Sequence, residues 1–260
     1  MWTRAELKQR AKDVLRGNYW KAFLISLVIM IAGGGAGGGG GGGRNGNSSF
    51  GYGEDFGDFF NGMPDERIIA TVLLAVAAGF TLILFFLALR IFLGYPLEVG
   101  GRKYFVQSAQ YSDNRGCFRY AFDGSNYLGI VGTMFLKGLQ NFLWFLLFII
   151  PGIVKAYAYS MVPYILADNP NIGARKAIRL SNNMTYGHKF DMFVLDLSFL
   201  GWYLLGILAL VIGVLFVMPY ENATKAELYL VLRRNALERN MCSYEDLRLY
   251  EPQQGGDNFQ

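Results

Sequence analysis

Between Ile68 and Leu93 the chain carries a single charge, Arg90, over a stretch long enough to cross a bilayer. A crossing takes about 20 residues at roughly 1.5 Å each. Hydrocarbon offers no partner to a backbone N–H or C=O, so such a segment must satisfy itself as a helix. Other apolar runs follow the same plan, with charges gathered between them. Charged residues make up only 17% of the 260, against 53% hydrophobic, where an ordinary soluble domain has about 25% charged. A net charge of +4 could point to nucleic acid. The basic residues instead flank apolar runs, and no RNA- or DNA-binding motif accompanies them. The expected partner is the lipid bilayer.

The predicted architecture is all-α: a polytopic transmembrane helical bundle of about six spans with basic interfacial helices. The spans fall near 19–36, 67–93, 127–150, 152–167, 190–209 and 212–232, within one membrane domain over 1–240. The apolar core of the first, Ala22 to Ala32, is short and borrows Tyr19, Trp20 and part of the glycine run after it. Tyr127 to Ala167 suits two spans, broken at Pro151-Gly152. Phe190 to Met218 is either one tilted span or the start of two, with a turn near Gly206–Gly213. Basic flanks prefer the cytoplasm, and Lys225, Arg233, Arg234, Arg239 and Arg248 follow this stretch. That favours two spans and leaves Glu221, Lys225 and Glu227 inside the sixth helix, needing a partner helix or water. Both termini are then cytoplasmic in a multi-pass protein of the cell membrane.

Outside the spans, Trp2 to Arg16 reads as a basic amphipathic helix. Thr3 and Glu6 have capping-box spacing, and Leu7, Ala11, Val14 and Leu15 share one face. Such a helix before a span suits an anionic membrane surface. A second basic helix follows Asn171, with Ala174, Ala177, Ile178 and Ser181 on one face and Arg175, Lys176 and Arg179 free for lipid headgroups. Residues 33–66 form a Gly-rich external loop, and 241–260 a flexible cytoplasmic tail. Cys117 and Cys242 have neither CxxC nor metal-ligand spacing and read as free thiols.

Ionisable residues inside spans mark the candidate site. Lys137 lies near the middle of the third span and Asp196 about six residues into the fifth. Their depths differ by roughly 6 Å at 1.5 Å per residue, which a lysine stem covers. The pattern predicts a Lys137–Asp196 pair, acting either as an interhelical tether or as an ion relay. Lys155, just past an external hairpin, can snorkel outward. His188, the single histidine, sits at an interface.

No HExxH, GxSxG or Walker motif is present, and no pair of carboxylates sits at a plausible site. The expectation is therefore a non-enzymatic protein without catalytic residues, metal or cofactor, interacting with lipids, anionic ones included, or with other membrane proteins. A small transporter, or a transporter subunit, using Lys137 and Asp196 is the competing reading.

Several separated motifs carry a resemblance. They are Glu6-Leu7-Lys8, Ala11-Lys12, Leu15 and Gly17-Asn18-Tyr19-Trp20; Pro96-Leu97-Glu98-Val99-Gly100; Ala177, Ser181, Met184 and Gly187-His188-Lys189; Leu197-Ser198-Phe199-Leu200-Gly201-Trp202; and Gly213, Pro219-Tyr220, Thr224, Ala226 and Tyr229. Over residues 4–232 the chain resembles the domain-of-unknown-function family 975, integral membrane proteins found mainly in Gram-positive bacteria. That family is distantly similar to the membrane domain of some glycerophosphodiester phosphodiesterases. The resemblance implies architecture and no catalytic residues. The run at 33–43 departs from its pattern.

Overall fold

The computed structural model describes residues 2–32, 65–208 and 212–250. Most of the Gly-rich loop, the end of the first predicted span and the last ten residues lie outside them. Among the described residues every regular element is helical: α1 (Arg4–Ile31), α2 (Asp65–Leu89), α3 (Tyr95–Ala109), α4 (Cys117–Phe122), α5 (Gly124–Leu147), α6 (Ile149–Ala158), α7 (Val162–Asp168), α8 (Ala174–Met184), α9 (Lys189–Leu208) and α10 (Ile212–Glu238), with a short 3₁₀ turn at Glu245–Leu247.

By length and composition, five helical stretches could cross a membrane: Arg4–Ile31, Ile69–Ala109, Gly124–Leu147, Ile149–Asp168 and Lys189–Ile207. The predicted sixth, α10, is not among them. Its polar residues Glu221, Asn222, Thr224, Lys225 and Glu227 are buried against neighbouring helices. That is how a helix with this many charges sits inside the bundle.

Helix α1 begins where the sequence predicts, with the Glu6 N–H donating to Thr3 Oγ1 at 3.3 Å. It does not stop near Arg16 but runs on to Ile31. The expected interfacial helix and first span form one element, kinked at Asn18 (φ −133°, ψ 22°). The apolar face of its first half packs inward: Leu7, Ala11, Val14 and Leu15 are buried. Helix α10 runs antiparallel beside that first half. The Tyr19 hydroxyl donates to the Phe216 carbonyl at 3.0 Å, and Lys12 lies over the Tyr220 ring.

Helices α2 and α3 are continuous through one π-helical turn, Arg90–Gly94. Their halves differ. Eighteen consecutive residues of the α2 stretch bury nothing, whereas α3 is largely buried. The second hairpin breaks at Phe148, whose backbone is extended (φ −156°, ψ 141°). Pro151 falls instead in the first turn of α6, where a missing N–H leaves no helical bond unmade. The fourth predicted span is two helices. Ser181 fills the gap, its hydroxyl donating to the Ala158 carbonyl at 2.7 Å and accepting from the Met161 N–H at 3.2 Å. Helix α8 thus uses its apolar face inside the protein. Residues 241–250 also pack rather than trail: Leu247 is fully buried, and Asp246 pairs with Lys176 at 2.6 Å. The core sits where α3, α7 and α10 meet, around Phe105, Leu166, Leu228 and Tyr229.

Candidate functional site

Two helices each carry an acid and a base one turn apart: Glu98 and Arg102 on α3, Glu221 and Lys225 on α10. Residues four apart share a helix face, and both faces point into the bundle. Glu98, Arg102 and Lys225 line a cavity of about 30 Å³ with Lys137 from α5, Tyr157 from α6, Tyr164 from α7 and Asp196 from α9. That volume accepts a water molecule.

The polar groups here are knitted together. Lys225 Nζ lies 3.2 Å from Asp196 Oδ1 and 2.8 Å from Glu221 Oε1. The Tyr157 hydroxyl donates to Asp196 Oδ2 at 3.0 Å, and the Tyr203 hydroxyl donates to Glu221. Arg102 donates to Asn222 Oδ1 at 2.6 Å and to the Tyr164 hydroxyl at 3.2 Å; Asn222 in turn donates to Ser26 at 3.0 Å. Arg90 donates to Glu98 at 3.1 Å and to the carbonyl of Ala32. Six helices, α1, α3, α6, α7, α9 and α10, are thereby tied through side chains. An isolated charge at the centre of a bilayer costs at least about 2.5–3.5 kcal/mol, and pairing removes most of that penalty.

Both Lys137 and Asp196 reach this cavity. The ion partner of Asp196 is Lys225, and Lys137 shares the cavity with Glu98. The reason is topological. Helix α9 packs against α10 and α6, while α5 packs against α6, α8 and α3. The predicted Lys137–Asp196 pair assumed adjacent helices, but α6 lies against both α5 and α9, and α10 supplies Asp196 with Lys225. Lys155 lies apart from the cavity, with its ammonium 4.9 Å from the Trp144 ring centre and 6.0 Å from that of Tyr159. Of the three cations on α8, Lys176 is held by Asp246, whereas Arg175 and Arg179 project outward. Asp168 anchors a second cluster, accepting from Arg233 at 2.9 Å and from the Tyr229 hydroxyl at 2.6 Å.

Both thiols are buried and unlinked. Burial pushes Cys117 up to about 11 and Cys242 above its ordinary value.

Glu98 and Arg102 fall just past the second predicted span, which ends at residue 93, so the apolar-run reading gives them no place in the bundle. The four-residue spacing of acid and base was the available signal.

Comparison with known families matches most of this cavity. Residues 133–236 match the family described as protein of unknown function (DUF975). The matched segment begins inside α5 and ends near the end of α10, so it includes Lys137, Tyr157, Tyr164, Asp196, Glu221 and Lys225. It is shorter than the 4–232 over which the resemblance was expected. Glu98, Arg102 and the N-terminal motifs lie outside the DUF975 match. No curated protein and no solved structure matches the chain.

Proposed function

We propose that this is a non-enzymatic membrane protein that acts through contacts with lipids and with other membrane proteins. The observation that carries the reading is α2. Leu73, Leu74, Val76, Phe80, Ile83 and Phe86 are all more than half exposed and point in different directions around the helix. Each large apolar side chain left in water forfeits about 1.5–3 kcal/mol, so something apolar must cover this helix on every side. Arg175 and Arg179 on α8 supply cations for headgroups. Both termini are cytoplasmic on this reading, with the protein in the cell membrane.

The test is photocrosslinking from Leu73, Leu74 and Val76, one residue at a time, in native membranes. Lipid adducts, or one discrete protein adduct, are expected at each. Labelling of these positions by a water-soluble reagent instead would end the proposal.

Transport is the second reading, favoured by the chain of contacts Tyr157–Asp196–Lys225–Glu221–Tyr203 across three helices. Proton flux into vesicles holding the purified protein tests it. Flux undiminished in Asp196→Leu and Lys137→Leu would exclude a relay through this cavity.

A further inference from the structure

A groove of about 670 Å³ lies between the first half of α1 and the α9–α10 hairpin. Its volume is in the range of small-molecule sites. The wall is built mainly from Tyr19, Trp202, Phe216 and Tyr220, and two of these large apolar faces are open, Trp202 at 53% and Phe216 at 44% exposure. The charged lining residues are Lys12 and Arg16. They stand one turn apart on the same face of α1.

These features are segregated along the groove. Lys12 sits 5.8 Å from the centre of the Tyr220 ring. The opposite end closes where Gly206 and Gly213 meet, a contact so tight that a Cβ on Gly206 would lie 2.7 Å from the Val214 nitrogen. Seven residues of α10 separate Gly213 from Tyr220, roughly 10 Å at 1.5 Å per residue. The groove therefore has a cationic end and an aromatic, aliphatic length. Arg16 is 79% exposed, and its ion partner Asp13 is 3.7 Å away, so its guanidinium is available to an incoming anion.

We infer that this groove binds one acidic phospholipid, its phosphate between Lys12 and Arg16 and an acyl chain along Trp202, Phe216 and Val217. A soluble anion makes no use of the apolar wall, and a zwitterionic lipid presents less net charge to the two cations. Arginine takes phosphate through two parallel N–H donors and lysine as a point charge. The inference rests on the lipid-contacting reading above and adds to it a place and a headgroup class.

Full-length protein purified in mild detergent is offered phosphatidylglycerol or phosphatidylcholine of identical acyl chains, and retained lipid is counted by native mass spectrometry. One phosphatidylglycerol per protein is expected, preferred by about tenfold or more, since each cation near an anionic headgroup adds favourably. The preference is lost in Lys12→Gln/Arg16→Gln. Val217→Trp, which fills the groove and keeps both cations, abolishes retention. Equal retention of the two lipids by the natural protein overturns the inference, as does unchanged retention in Val217→Trp. Lipid adducts from α2 report separately on the broader reading: if they persist while the groove shows no preference, only the groove assignment fails.

Discussion

Lys225 bridges two carboxylates at 3.2 and 2.8 Å, while Lys137 makes no ion pair within 4 Å among the described residues. Removing one member of a buried ion pair costs about 3–5 kcal/mol, because the partner charge is left uncompensated. Lys225→Met is therefore expected to destabilise the protein by that order, and Lys137→Met by clearly less. Unfolding in mixed micelles by SDS measures both, and equal losses would sink the assignment of Lys225 as the central cation. The thiols give a second expectation. With Cys117 raised to about 11 by burial and Cys242 raised as well, the reactive thiolate is scarce at neutral pH. Alkylation by iodoacetamide at pH 7.5 should be slow for both in the folded protein and accelerate on unfolding. At this level the sequence is informative only where a charge interrupts an apolar run. Lys137 and Asp196 stand out for that reason. Glu98 and Arg102 do not, because Gly94, Pro96, Gly100 and Gly101 around them give a loop-like composition to what is helix.

That helix exists because small residues let it approach its neighbours. Gly101 faces Ile29, and Gly94 faces the Ala32 carbonyl. The same principle separates two glycines of α5. A Cβ on Gly129 would lie 2.5 Å from the Pro170 carbonyl oxygen, whereas one on Gly132 would meet nothing within 4 Å. Gly129→Ala is expected to cost about 1–3 kcal/mol by overpacking against backbone. Gly132→Ala should be neutral or stabilise by up to about 1 kcal/mol through helix propensity. Thermal unfolding of the two variants decides this, and similar effects would contradict the packing of α5 on the 170–171 turn. From sequence both glycines read alike, as small residues for helix packing; only the neighbour distinguishes them. Periodicity likewise gives α1 and α8 their apolar faces without saying what those faces touch. Both turn out to pack on protein. The segment 241–250 is a further case, held by Lys176 on Asp246 and by Leu247 in the core. The Lys176 hydrogen bond holds the Asp246 carboxyl below its ordinary 3.8. A depressed carboxyl contributes stability above its unfolded value and loses it as pH falls through the folded one. Protease sensitivity of this segment should therefore rise only below about pH 4, and modestly, since half-exposed pairs contribute about 0–1 kcal/mol.

Contacts between α1 and the last two helices constrain how often the chain can cross. Trp2 lies near His188, just before α9, with ring centres 6.1 Å apart and planes tilted by 46°, and Lys8 lies 4.4 Å from the ring centre of Phe199. Further on, Lys12 meets Tyr220 and Tyr19 meets Phe216. The start of α1, the start of α9 and the end of α10 therefore gather at one end of the bundle. A chain whose two ends share one side crosses an even number of times. The five helices that qualify by length and hydropathy make an odd count, whereas the proposed six-span reading, with both ends on one side, needs an even one. On the proposed six-span reading α10 is the sixth crossing, with its charges buried against protein rather than offered to lipid. In a background with both cysteines replaced, a single cysteine at Thr3 and one at Ser243 are expected to react with a membrane-impermeant maleimide from the same side of sealed vesicles. Reaction from opposite faces would contradict the antiparallel packing of the first half of α1 on α10.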